Sequence, residues 1–383
     1  MERVCNVALI GQQFMGRAHS NAYLKVAKFF DVPLTPVLHT VAARDQEGVE
    51  RFAQRWGWQQ ATTRWREIAD NDAINLVDVC TPNDVHAEQS IAMLEAGKHV
   101  ACEKPLADTL EHARAMKAAA AKAKGKTFVW FNYRRCPAVA LAYQLVREGR
   151  IGRLYHVRAS YLQSWGGPDT PLVWRFEKKR AGSGAHGDLN AHIIDLARFL
   201  TGDQITEVTG GIAETFIKER VKPGSKSGER GRSDVDDCVV FLARFKQGAV
   251  ASFEATRLAT GHQNANYIEL NGSAGALRWN FEDMNLLWFY DNQEDARTAG
   301  WRRIMCTSGG HHPYADAWWP DAHIIGYEHG FVNMTADILR VLGGQQPLLP
   351  LPDFADAYET QRVLEAALLA AKHRSAVKMS EVK

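Results

Sequence analysis

Residues 7–20 read VALIGQQFMGRAHS. The apolar run 7–10 has the composition of a buried strand, Gly11 ends it, and a helix is expected from about Gly16. A strand that turns into a helix at glycine is the outline of the dinucleotide-binding turn G-x-G-x-x-G. There, backbone amides and a helix dipole receive a pyrophosphate. Gly11 and Gly16 hold the first and third glycine positions, and Gln13 stands in place of the second. Taken alone, the stretch is equally a plain strand–helix turn.

The surrounding pattern favours the nucleotide reading. Strand-like runs at 35–45 (TPVLHTVAARD), 75–80 (NLVDVC), 99–105 (HVACEKP) and 127–133 (TFVWFNY) alternate with helix-like runs at 16–30, 47–57, 86–97 and 110–125. Short strands alternating with longer helices imply right-handed crossovers and a parallel sheet. The expectation is an α/β chain with a doubly wound Rossmann domain over residues 1–130.

Past about residue 130 the pattern changes. Runs such as CVVFLARF and GAVASFEATRL alternate in period two, which predicts a large, open, mostly antiparallel sheet with one face covered. Two helices interrupt it, PAVALAYQLVREG and GDLNAHIIDLARFLTG, the second with Gly202 just past its end. The polar stretch 217–234 (IKERVKPGSKSGERGRSD) reads as a mobile loop, a lid or an oligomer contact. A second α/β domain for substrate binding and oligomerisation is expected over 131–355, with a C-terminal helix from 356 packing back on the body.

Composition excludes several classes. The chain has 383 residues, 46 basic against 44 acidic, and no basic–aromatic stripe, so no nucleic-acid partner is expected. No run approaches the roughly 20 apolar residues of a membrane span, and the N-terminus has no secretory pattern. The six scattered cysteines read as reduced, buried thiols. A cytoplasmic protein is expected.

Several positions carry chemistry. The second strand of such a sheet ends near the adenosine ribose, where an acid suits NAD and an arginine suits the 2′-phosphate of NADP. Here that end reads VAARD; Ala43 and Arg44 lean to NADP, while Asp45 remains within reach of a ribose. The strand ends CTPN and CEKP face the cofactor crevice. Lys104 at a buried strand end is unusual unless paired or working; a surface pair with Glu103 is the plainer alternative. Pro105 requires an extended or cis backbone before it. Asp188 and His192, four apart, share a helix face. A carboxylate beside an imidazole fixes its tautomer and raises its basicity, which suits proton removal from an alcohol. A helix cap and a core histidine are the alternatives. His311 and His312 lack further ligands at metal spacing, and no metal is expected.

Four motifs occur in order: GxxxMGxxH (Gly11 to His19), TPNxxH (Thr81 to His86), AGKHVxxEKP (Ala96 to Pro105) and GDxxxHxxDLxxxLxG (Gly187 to Gly202). Together they resemble the Gfo/Idh/MocA oxidoreductases over nearly the whole chain. That resemblance implies a nicotinamide-dependent sugar or polyol dehydrogenase. It makes His192 the general base and Lys104 the partner of the reacting hydroxyl. Asp188 then binds a neighbouring hydroxyl or relays the proton. It places Gly11, Gln13, Phe14, Met15, Arg44, Thr81, Asn83, His86, Glu103 and Lys104 around NAD(P), with Phe14 and Met15 on the nicotinamide side. Asp195 is expected to be structural, and His186 has no assigned part.

A closer likeness runs through FNYRRCPAVALA, YLQSW, PLVWRF, AGSGAHGD, DVDDC and EATR. These stretches resemble the levoglucosan dehydrogenase type of the family, which oxidises the 3-hydroxyl of an anhydrosugar. By that likeness Tyr133, Gln163, Trp165 and Arg175 join Asp188 and His192 around the sugar. Trp174 and the pair Trp318–Trp319 are further candidates for an apolar platform. A homodimer or homotetramer through the open sheet is expected. The rival readings are an enzyme that cleaves glycosides through transient oxidation by NAD, and a non-catalytic cofactor-binding sensor.

Overall fold

Strand β1 (Val4–Ile10) stands in the middle of a six-stranded parallel sheet. The computed structural model describes residues 3–382. The chain divides into two units, the first built from 1–135 with 316–319 and 325–358, the second from the remainder.

In unit 1, β1 leads into α1 (Phe14–Phe29), β2 (Thr35–Ala42), α2 (Gln46–Trp56) and the short β3 (Gln60–Thr62). Then follow β4 (Leu76–Val79), α3 (His86–Glu95), β5 (His99–Cys102), α4 (Leu110–Lys122) and β6 (Thr127–Val129). The sheet order β3-β2-β1-β4-β5-β6 is the doubly wound order expected from the alternation. Val7, Ala8 and Leu9 are completely buried, as a sheet covered on both faces requires.

The opening turn has both glycines for steric reasons. Gly11 has φ +117°, and a Cβ there would stand 2.5 Å from the Cys80 carbonyl oxygen. A Cβ on Gly16 would collide with the Gly11 carbonyl oxygen, so helix and turn pack backbone to backbone. The helix starts at Phe14, two residues before the expected start, with Gln13 as its N-cap.

Unit 2 begins with α5 (Pro137–Arg147), which carries proline at its first turn. It continues with β7 (Leu154–Leu162), α6 (Lys178–Ala181), α7 (Ala191–Thr201) and β8 (Ile205–Glu214). The further strands are β9 (Glu219–Val221), β10 (Arg230–Arg232), β11 (Cys238–Phe245), β12 (Val250–Thr256), β13 (Ala265–Gly272), β14 (Gly275–Asn280), β15 (Leu286–Asp291) and β16 (Arg302–Met305). Among the described residues a nine-stranded sheet runs β16-β15-β14-β13-β7-β12-β11-β8-β17, where β17 is Val377–Lys378, and in it only β7 and β12 pair in parallel. Period-two alternation is clean in β11: Val239, Phe241, Ala243 and Phe245 are buried, while Val240 and Leu242 are exposed.

Three features depart from the sequence reading. The helix holding Asp188 opens with a π-helical turn, His186–Asn190, before α7 begins. The stretch 217–234 is not a loose loop: β9 and β10 form a hairpin anchored by Arg220. Arg220 is fully buried, donates to the carbonyl oxygens of Gly166 (2.8 Å) and Gly167 (2.7 Å), and lies 3.6 Å over the Phe176 ring. Helix α8 (Tyr327–Leu342) falls in a stretch read as substrate domain, yet it belongs to unit 1 and packs on α1. Helix α9 (Phe354–His373) is the C-terminal helix expected from the sequence. Among the described residues there is no disulfide and no helix long and apolar enough to cross a membrane.

Candidate active site

Unit 1 carries the residues expected around the nucleotide. Gln13 makes no side-chain cap bond, so the first-turn amides of α1 have no side-chain acceptor and suit an anion. Gly11 makes the tight turn that brings these amides to the strand end, and the residues fit a dinucleotide. Gln13 and Phe14 are exposed, and Phe14 stacks on Tyr327 with ring centroids 6.0 Å apart. Arg44 and Asp45 are exposed at the end of β2. Asp45 Oδ2 and Gln12 Nε2 both crowd Gly48, the latter 2.8 Å from where a Cβ would stand.

The turns after β4 and β5 are tied together. The His86 ring is completely buried, with Nε2 2.9 Å from the Thr81 carbonyl oxygen and Nδ1 3.1 Å from that of Pro105. Burial holds its pKa below the ordinary histidine value. Both ring nitrogens face backbone carbonyl oxygens, so His86 braces the two turns. Thr81 Oγ1 donates to Gln89 Oε1 at 2.7 Å. Asn83 is buried in the short turn that leads into α3. Glu103 is buried, its Oε2 accepts the Lys104 amide at 3.1 Å, and the Lys104–Pro105 bond is cis. Tyr133 is buried in the 3₁₀ turn after β6.

Beneath these turns lies a polar network. His19 Nδ1 is 2.9 Å from Asp78 Oδ2, and His19 Nε2 is 3.1 Å from Glu103 Oε1. Tyr23 and Trp130 each donate to Asp78 at 2.9 Å, and Cys80 Sγ lies 3.0 Å from His19 Nδ1. Burial alone would lower the His19 pKa; the two carboxylates outweigh it and raise it to about 9, so the ring is cationic at neutral pH.

Unit 2 holds a separate cluster of its own. Asp188 sits in the wide π-helical turn and His192 in the first turn of α7, where it is buried. Arg257 Nη2 donates to Asp188 Oδ2 at 2.8 Å. The Tyr161 and His192 rings are 5.7 Å apart. Tyr161 Oη and Gln163 Nε2 both donate to Asn264 Oδ1 at 2.7 Å, and Trp165 Nε1 donates to Gln163 Oε1 at 2.6 Å. The chain Trp165–Gln163–Asn264–Tyr161 therefore runs up to the His192 ring. Arg175 adjoins this set through its carbonyl oxygen, 3.3 Å from Arg257 Nη1, while its guanidinium covers Trp174.

Other candidates fall elsewhere. His186 is a brace: Asn190 Nδ2 donates to its Nδ1 (2.9 Å), and its Nε2 faces the Leu364 carbonyl oxygen (2.8 Å). Asp195 is buried within α7. Trp318 belongs to the core of unit 1, bonded to Asn333 and packed on Phe29. His312 Nδ1 accepts the Ser308 amide. Sequence reasoning gave no role to Arg257, Tyr161 or Asn264. Arg257 and Tyr161 lie in the quoted stretches EATR and YLQSW; Asn264 carries no local signal.

The fold and these residues define an NAD(P)-dependent oxidoreductase acting on CH–OH donors. Residues 5–131 match the oxidoreductase family with NAD-binding Rossmann fold, and residues 139–278 match the GFO/IDH/MocA C-terminal domain. The chain belongs to the Gfo/Idh/MocA oxidoreductase family. It is 39% identical to levoglucosan dehydrogenase of Pseudarthrobacter phenanthrenivorans, over 98% of each chain. Among solved structures it resembles an oxidoreductase domain protein from Kribbella flavida (TM-score 0.94, 51% identity, 99% of this chain and 100% of that one). It also resembles a levoglucosan dehydrogenase in complex with NADH and levoglucosan (TM-score 0.94, 40% identity, 99% and 100%).

Proposed function

We propose that the protein oxidises a secondary hydroxyl of a sugar, anhydrosugar or polyol, with levoglucosan-like anhydrosugars as the leading class. The observation that carries this reading is the hydrogen-bonded set at the start of α7. Asp188 is held by Arg257, and a row of directional side chains leads to His192. A polyol needs several fixed donors and acceptors. His192 takes the hydroxyl proton, Asp188 orients a neighbouring hydroxyl or passes the proton on, and Lys104 stabilises the developing oxyanion. Tyr133, Gln163, Trp165 and Arg175 hold the ring. The nicotinamide, when bound, supplies the hydride acceptor. Gly11, Gln13, Phe14, Met15, Thr81, Asn83, Glu103 and Lys104 hold the dinucleotide, with Arg44 at its ribose.

The test is turnover of His192→Ala and Lys104→Ala on a panel of sugars. Loss of about 10²-fold or more, as for removal of an acid–base group, is expected with dinucleotide affinity kept. Near wild-type turnover in both variants would sink the assignment. Net accumulation of reduced cofactor separates this reading from a glycoside-cleaving one.

For the cofactor, Ala43 and Arg44 support NADP. A second reading has its own support: the exposed Asp45 carboxylate next to Arg44 would repel a 2′-phosphate, which favours NAD. The exposed apolar residues Ile212, Val240 and Leu242 on neighbouring strands support a second copy on the open sheet face. A cytoplasmic location agrees with the reduced cysteines.

A further inference from the structure

We propose that His19 is a positioning residue that acts through Glu103 on Lys104. The proposal rests on the reading of Lys104 as the group facing the reacting oxygen. His19 lies on α1, the helix opened by the dinucleotide turn, and is completely buried. Its two nitrogens face carboxylates at two strand ends: Asp78 of β4 on one side and Glu103, just past β5, on the other. The Glu103 contact is an ion pair rather than an aligned hydrogen bond. Glu103 uses its other oxygen to accept the Lys104 amide. A continuous path of 3.1 Å and 3.1 Å thus runs from the His19 ring to the Lys104 backbone.

The ring has little freedom to turn. Trp130 packs against it at 4.1 Å and Phe331 at 5.3 Å. Asp78 is itself fixed by Tyr23 and Trp130. His19, Asp78 and Cys80 also place three donor atoms within 4.8 Å of one another, the spacing of a metal site. They are already bonded to one another, and the Asp78 oxygens accept a phenol and an indole, so the set reads as a closed network. Two buried carboxylates on opposite sides of one ring require a cation between them. The cation at position 19 holds Glu103 in place, and Glu103 holds the Lys104 backbone in place. Reacting groups must be held to within about 0.5 Å of their productive position. A slack Glu103 relaxes that limit for Lys104.

The test is a double-mutant cycle of His19→Gln with Lys104→Ala, read as kcat on the sugar that turns over best. In the wild-type background, His19→Gln lowers kcat roughly 10- to 100-fold, the loss typical of a misplaced group. KM for the sugar and affinity for the dinucleotide hold within about 3-fold. In the Lys104→Ala background the same substitution adds less than about 3-fold. The same factor in both backgrounds would mean that His19 merely supports the fold, and would overturn the proposal. Glu103→Gln, run through the same cycle, gives the answer if His19→Gln does not fold. Full turnover in Lys104→Ala alone removes the Lys104 reading and this proposal with it. Additivity with an impaired Lys104→Ala removes this proposal only.

Discussion

Arg257 and Asp188 form a short, nearly buried ion pair, Nη2 to Oδ2 at 2.8 Å, with the arginine side chain 2% exposed and the aspartate 24%. The same guanidinium lies 5.0 Å over the Trp165 ring. One arginine therefore fixes a carboxylate expected to work in proton transfer and one wall of the proposed sugar site. Breaking a buried pair from one side costs roughly 3–5 kcal/mol, and the partial exposure of Asp188 reduces this to about 2. Arg257→Met is expected to lose that much stability by denaturant titration and to lower turnover at least about 10-fold. Arg257→Lys keeps the charge but not the planar fork, and should recover stability better than turnover. Wild-type kcat in Arg257→Met would show that Asp188 needs no such anchor.

Gln13 takes the position where a middle glycine would let backbone approach a pyrophosphate. It is exposed, and its side chain caps nothing. Gln13→Gly is expected to leave dinucleotide affinity unchanged or to tighten it, measured by quenching of tryptophan fluorescence. A loss beyond about 10-fold, or 1.4 kcal/mol, would make the Gln13 amide itself a ligand.

Arg44 and Asp45 give opposite expectations for the 2′ position of the adenosine ribose. If Arg44 selects, Arg44→Ala weakens NADP about 10-fold and leaves NAD unchanged. If Asp45 selects, Asp45→Ala improves NADP relative to NAD. Titration of both variants with both reduced cofactors decides between them.

The His19 pKa, raised to about 9 from an ordinary 6.5, predicts a pH dependence of stability. The titratable groups facing the ring are Asp78, Glu103 and Cys80, and Tyr23 is bonded to Asp78 behind them. Between these pH values the folded state holds a proton that the unfolded state has lost. The contribution is therefore complete below about 6.5 and disappears as pH rises through about 9. Its full size is on the order of 3 kcal/mol at 1.36 kcal/mol per unit. The stability difference between wild type and His19→Gln should shrink from pH 6 to pH 10. A constant difference would contradict a cationic His19.

Leu242 on β11 is 54% exposed on the open sheet face, in register with Gly210 of β8 and Ser252 of β12. A lysine there would be buried without a partner in any self-association through this face. Leu242→Lys is expected to lower the mass seen by light scattering without changing the fold. An unchanged oligomer would place the interface elsewhere.

The parallel sheet was legible because its strands and helices declare themselves in local periodicity. Gly11 and Gly16 were legible because the turn leaves no room for a side chain. The π-helical turn at 186–190 was not, since it differs from an α-helix in bonding rather than in residue type. The hairpin at 219–232 looked like a solvated loop, because a buried Arg220 and an exposed one are the same letter. Its partners, two glycine carbonyls and a ring, lie more than 40 residues away in sequence. His19 was visible as the last position of a motif but had no role until Asp78 and Glu103, from later strands, closed around it. Helix α8 went unread because it directly follows a stretch, 307–326, rich in aromatic and turn residues.

That helix has a consequence for how the molecule is made. Residues 330–339 of α8 are buried, Phe331 meets the His19 ring, and the Val129 amide bonds to the Pro352 carbonyl oxygen. The nucleotide-binding unit therefore takes essential parts from a segment translated long after its six strands. A ribosome-bound chain that has only reached residue 130 carries the whole parallel sheet but leaves one flank of α1 uncovered. It follows that dissecting the gene at that apparent boundary yields an unfinished unit, and that the first domain to emerge from the ribosome is completed only once the chain has reached residue 358.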